Sequence, residues 1–226
     1  MVFFLRHSFK TRPKTKDGGN SHMRRLKKVI SAFLSLFLLA VCPIYGEEPA
    51  LAAEIQPRLN MGFYWHNTPR TVYLDISNLP SSFQTEAVGA MNIWNKVRSL
   101  SGKKMVTFAK GTYGNTFSNI SYTAIDNRYI GYTKHYYSGN ALSSVTIYLN
   151  SSKPLTVGPN PNSYDVKTVL VHELGHALGI AHCHEIGSSC FSPTCSINVM
   201  NPETPVNETR TVLRAYDTSS YQMIYS

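Results

Sequence analysis

VHELGHALGIAHCHEIG, residues 171–187, sets four histidines and three glycines in one short stretch. His172 and His176 stand four residues apart, so on a helix both rings leave one face and can share one ion. Zinc suits imidazole nitrogen, and a catalytic zinc takes about three protein ligands, leaving a position for water. Gly179 can stop the helix just after His176, because glycine tolerates the left-handed conformation at a helix end. The chain can then turn back and deliver His182 as the third ligand. A continued helix would carry His182 to the wrong side and too far along. Glu173 neighbours a ligand but reads as a general base. A carboxylate in hydrogen-bond reach takes the proton of a zinc-activated water and later passes it to a leaving amine. A purely structural zinc site would need no such residue. His184, two residues past His182, reads as a loop histidine.

Upstream of this stretch, Gly158-Pro159-Asn160-Pro161-Asn162 is a turn-rich break. The helix should begin near Ser163 or Asp165, with Val166, Val169, Leu170, Leu174, Ala177 and Leu178 as its apolar stripe. Earlier still, Thr71 to Ile76 alternate as a half-buried strand. Ser81 or Ser82 is expected to cap a first helix, in which Phe83, Ala87, Ala90, Met91, Trp94 and Val97 recur at helical spacing. Met105 to Phe108, Ser118 to Ala124 and Val145 to Leu149 are rich in β-formers and read as strands. Tyr129 to Asn140 reads as an edge strand and a loop. Residues 54–69 read as an extended lead. Downstream come a Cys/Ser/Pro-rich loop, a turn at Asn198-Val199-Met200-Asn201-Pro202, and a last helix near Arg214 to Tyr225. Strands with a helix first, then a helix and a loop-rich end, is an α+β order.

The formal net charge of +9 invites a nucleic-acid reading. However, residues 1–53 hold 9 Lys/Arg against 3 Asp/Glu, while residues 54–226 hold 13 against 10. The basic excess is therefore mostly in the leader, and a nucleic-acid partner is not expected. Residues 23–53 read as a signal peptide: a positive segment, Met23 to Lys28, an apolar stretch, Val29 to Tyr45, and Ala50-Leu51-Ala52 for the peptidase. Export to the extracellular space follows, with a membrane-anchoring helix or a lipid on Cys42 as the lesser alternatives. Residues 1–22 do not fit that plan. They read as a mis-assigned start or a leader extension. Translation from Met23 would make Gly18-Gly19 the trace of a bacterial ribosome-binding sequence. Residues 54–226 are then the catalytic domain, expected to act as a monomer. Cys183, Cys190 and Cys195 follow the expected cut. One local bridge among them, stapling the loop after His184, is favoured over a second metal site. Asn119, Asn150 and Asn207 lie in glycosylation sequons, which matter only in a eukaryotic secretory pathway.

His172-Glu173-Leu174-Gly175-His176-Ala177-Leu178-Gly179-Ile180-Ala181-His182 resembles the HExxHxxGxxH signature of the metzincin metallopeptidases. Met200 matches the methionine turn of that family. The region around the helix and the ending Leu213 to Tyr225 look most like the matrixin branch. Asp217 there matches an aspartate that supports the methionine turn, and Tyr225 matches the closing tyrosine. The resemblance implies a metzincin-like zincin fold: a twisted mixed sheet, an active-site helix and a small irregular C-terminal part ending in a helix. It implies one catalytic zinc on His172, His176 and His182, Glu173 as the catalytic residue, and Met200 and Asp217 as structural support. Peptide substrates would lie extended along an edge strand near Ile130 to Thr133. The segment around Ile197 to Pro202 would wall the specificity pocket. Further Zn²⁺ or Ca²⁺ ions occur in the family, but no acidic cluster places them here. Almost no chain between Ala53 and Arg70 is left for a zinc-capping cysteine, so latency by that route is not expected. No tyrosine closely follows Met200, and the three-cysteine loop differs from the shorter matrixin connection.

The reading is a secreted zinc-dependent endopeptidase acting on protein or peptide substrates. The alternative is a non-catalytic zinc-bearing surface or binding domain derived from a peptidase, against which the intact Glu173 speaks.

Overall fold

The computed structural model describes residues 60–111, 118–183 and 195–226. The expected leader, His184 and Cys190 lie outside these residues. In chain order come β1 (Arg70–Asp75), α1 (Ser81–Trp94), β2 (Val106–Gly111), β3 (Ser118–Thr123), β4 (Gly131–Ser138) and β5 (Ala141–Asn150). A two-residue pair follows, β6 (Leu155–Thr156) with β7 (Tyr164–Asp165). Then come α2 (Val166–Ala177), a 3-10 turn (Cys195–Ile197) and α3 (Ala215–Ile224). This is the expected α+β order, with a mixed sheet and helices of the zincin type.

The sheet runs β2-β1-β3-β5-β4, parallel throughout except for the antiparallel edge strand β4. Alternation in β1 buries Val72 and Leu74 and leaves Thr71 and Tyr73 outside. With Ile120, Ile147 and Leu149 they join Phe83, Ala87 and Met91 of α1 and Leu170 and Leu174 of α2 in one core. Trp94 locks the two helices together, donating its indole N–H to the Val171 carbonyl at 2.8 Å.

One expectation needs correcting at an element end. Ser81 and Ser82 are not caps: Pro80 holds the cap position of α1, and no side chain bonds there. Proline brings a fixed φ suited to a helix start, so the serines fall inside the first turn. The short β6–β7 pair was not foreseen, since two residues per strand leave no period to read. Asn150 is fully buried and spends its amide on the carbonyls of Ile125, Asp126 and Tyr129. Its sequon is therefore closed to modification in the folded protein.

The two sheet edges differ. At β2, Asn95 acts as a strand mimic, taking the Phe108 N–H at 2.8 Å and donating to the Phe108 carbonyl at 2.8 Å. The Tyr221 hydroxyl accepts the Val106 N–H at 3.0 Å. Beyond them, Lys110 sits exposed, and a charge there opposes strand pairing. β4 is paired on its β5 side alone among the described residues.

Candidate metal centre

Asp165 starts α2, accepting the Thr168 N–H at 3.2 Å, as an N-cap should. The helix ends in a Schellman motif. Gly179 sits at φ +85°. The Ile180 N–H reaches the Gly175 carbonyl at 3.1 Å and the Gly179 N–H reaches that of His176 at 2.7 Å. The last carbonyls all find donors. Trp65 Nε1 bonds Ala177 at 2.8 Å, Tyr225 Oη bonds Leu178 at 2.8 Å, and the Met61 N–H bonds Gly179 at 2.8 Å. The closing tyrosine thus acts on the end of this helix. The N-terminal lead is tied to the same turn, through an antiparallel bridge between Asn60 and Ile180.

Beyond that turn His182 meets the helix histidines. Its Nε2 lies 3.0 Å from Nε2 of His172 and 2.9 Å from Nε2 of His176. The Nδ1 atoms of His172 and His176 face the carbonyls of Val199 and Ile180, each at 2.8 Å. A carbonyl only accepts, so each Nδ1 carries the proton and each Nε2 presents a bare lone pair. Burial, and then the neighbouring His182, pulls His172 down to about 4. Burial, then His172 and His182, pulls His176 well below its ordinary value. Both rings are therefore neutral near neutral pH, the form a metal binds. Two bare lone pairs converging on a third ring nitrogen can be shared by one cation, and zinc–imidazole bonds of about 2.0–2.1 Å suit such a cluster. The residues present fit zinc. Among the described residues this is the one cluster of three or more His, Cys, Asp or Glu side chains close enough to share an ion.

Glu173 does not join the cluster. Its side chain is 4% exposed and turns toward β4, where Thr133 Oγ1 donates to Oε2 at 2.6 Å. Burial raises its pKa to about 7, against the pull of the Thr133 hydrogen bond. Above it opens a cleft of about 300 Å³ lined by Tyr129 to Thr133, Val169, Pro202 and Thr204. Pro202 belongs to the expected wall segment, whereas Ile197 of that segment is 45% exposed.

Met200 lies fully buried beneath the helix, packed so closely on Gly175 that a methyl at Gly175 would overlap Met200 Sδ. Asp217 holds this turn. Its carboxylate accepts the N–H groups of Val199 and Met200 at 3.2 Å each and of Arg214 at 2.8 Å. Burial raises its pKa, against the pull of those same bonds. The Val199 carbonyl in turn fixes His172. Asp217→Ala strands two buried N–H groups and a partly buried one, each worth about 1 kcal/mol or more. The expected loss is about 3 kcal/mol, or about 6–12 °C in melting temperature. A calorimetric melt matching that of the wild type would remove Asp217 from this role.

Spacing placed the three histidines and Glu173, the family resemblance placed Met200 and Asp217, and the fold brings all of them to one place. Neither singled out Thr133, Gly131 and His135, which share the inner face of β4, although the strand near Ile130 to Thr133 was expected to hold substrate. Their alternate spacing was the available signal, but nothing in it names a partner. Cys183 is buried, with its N–H donating to the Met200 carbonyl at 3.1 Å. The expected bridge and its rival second metal site depend on Cys190 and on the Cys195 side chain, both outside the described residues.

Comparison with curated proteins finds no match. A family model described as Matrixin, a peptidase family, matches residues 71–226. Matrixins are zinc-dependent metallopeptidases acting on proteins. The match takes in the sheet, the histidine cluster, the methionine turn and the closing helix, so the chain belongs to the matrixin family.

Proposed function

We propose that the protein is an exported zinc endopeptidase in which His172, His176 and His182 hold the ion through Nε2 and Glu173 is the general base. The observation that carries this reading is three converging Nε2 atoms beside a buried carboxylate under an open cleft. Zinc held there supplies the Lewis acidity that brings a water pKa toward about 7. Glu173 accepts the proton of the attacking water as its oxygen bonds to the peptide carbonyl carbon. It then gives that proton to the amide nitrogen as the C–N bond breaks. The Nδ1 bonds keep His172 and His176 from rotating. Met200 and Asp217 serve as the floor beneath them. An unfolded chain can add to β4 as a strand, while Asn95 and Tyr221 close the opposite edge. Export rests on the signal pattern of residues 23–53, with the catalytic domain over residues 54–226.

The direct test is hydrolysis of an unfolded fluorogenic protein, with bound zinc quantified. Zinc near one per chain and cleavage stopped by a chelator are expected. Zinc near one with no cleavage would instead favour a binding domain on a peptidase scaffold. Protein recovered from the medium should begin near Glu54, and membrane retention with residues 23–53 intact would sink cleavage of the signal. Zinc at about 100 times its dissociation constant adds about 2.7 kcal/mol. Chelation is accordingly expected to lower the melting temperature by about 5–10 °C. Identical melts with and without chelator would mean that the histidines hold no ion.

A further inference from the structure

The inner face of β4 carries Gly131, Thr133 and His135 at alternate positions, and each meets α2. His135 Nε2 lies 2.9 Å from the His176 carbonyl. Thr133 Oγ1 lies 2.6 Å from Glu173 Oε2 and 3.1 Å from the Glu173 carbonyl. A methyl at Gly131 would come within 2.7 Å of Glu173 Oε1 and 2.9 Å of its Cγ. The carboxylate therefore has a hydroxyl on one oxygen and strand backbone bare of a side chain beside the other.

We propose that Thr133 is a positioning residue, holding the Glu173 carboxylate by one oxygen so that the other faces the reacting atoms. The inference rests on Glu173 being the base. Thr133 has one hydroxyl hydrogen and two acceptors in reach. The shorter bond, to the charged acceptor, is the stronger. That bond occupies Oε2 and leaves Oε1 as the oxygen that takes the proton. A glutamate has three rotatable side-chain bonds, and without the anchor its carboxylate turns among several orientations. Misplacing a catalytic group by about 1 Å can cost about 10²-fold in rate. Valine has nearly the shape of threonine, so packing alone is kept in Thr133→Val while the anchor is lost.

The test uses the zinc-loaded protein. Thr133→Val is expected to lower kcat about 10–100-fold, with KM within about twofold and zinc unchanged at one per chain. Thr133→Ser should regain most of the loss, since its hydroxyl reaches the same atom. A merely structural threonine would lower the melting temperature in Thr133→Val and leave kcat in place. Unchanged kcat in folded, zinc-loaded Thr133→Val overturns the proposal. A second readout needs no turnover. The infrared carboxylate band of Glu173, isolated in alkaline buffer as the difference from Glu173→Gln, should shift in Thr133→Val and return in Thr133→Ser. An unshifted band overturns the contact even if the wild type proves to hydrolyse nothing, a result that would by itself sink only the peptidase reading.

Discussion

Glu173→Gln is expected to keep zinc near one per chain and to lose about 10²–10⁴-fold in kcat. The amide keeps the shape of the side chain and can still accept from Thr133, but it cannot take a proton from water. Among its described contacts the carboxylate bonds Thr133 and none of the three imidazoles, so the metal cluster should not notice the change. Kinetics beside metal analysis would check this. Turnover within about tenfold of wild type in the zinc-loaded variant would remove Glu173 from its role. The same substitution carries a signature in the chelated protein. Burial places the carboxyl at about 7, above the ordinary 4.5. A raised acid value means that the fold holds the proton more tightly than the unfolded chain does. Ionisation therefore costs stability as pH rises past the ordinary value, and the cost is complete above the folded one. Chelated Glu173→Gln should melt above chelated wild type in alkaline buffer and lose that advantage in acid.

Gly179→Ala should destabilise the protein strongly. Two costs coincide. Left-handed backbone at φ +85° costs a residue with a Cβ about 1–2 kcal/mol. The new methyl would also overlap the Phe63 carbonyl oxygen. That oxygen has little freedom to retreat. Phe63 stacks on Tyr137 with ring centroids 4.7 Å apart, and its neighbour Trp65 is 1% exposed and bonded to Ala177. Destabilisation of roughly 3 kcal/mol or more is expected. Function should fail with it, because the turn that starts at Gly179 delivers His182 to the other two rings. Melting and zinc content together decide the matter: a variant matching wild type in both would show that the turn tolerates a side chain.

The two glycines between His172 and His182 were legible to different degrees. Gly179 could be read from sequence because its role is local, stopping a helix between two ligands. Gly175 could not, since its neighbours Met200 and Trp94 come from elsewhere in the chain. The same division runs through the site. His172, Glu173 and His176 follow from helical period alone, and His182 from the turn. Thr133 reaches Glu173 across forty residues of sequence, through a register of β4 on β5 that pairs Thr133 with Ile147. No local pattern encodes that register. The first helix shows the limit at element ends: its buried face was read correctly from Phe83 to Trp94, while the start was misjudged because proline, not serine, occupies the cap position.

The unequal edges of the sheet also bear on how copies of this protein meet one another. A sheet open on both sides can accept neighbours without end, and that is how fibres grow. Here Asn95 and Tyr221 already take the Val106 N–H and both main-chain groups of Phe108 on β2, so among the described residues the long open edge a second copy finds is β4. Two molecules paired there would use up each other's open edge and stop at a closed pair, with the cleft flank of both taken. Self-association of this kind is self-limiting, and any chain that lies along β4 competes with it directly.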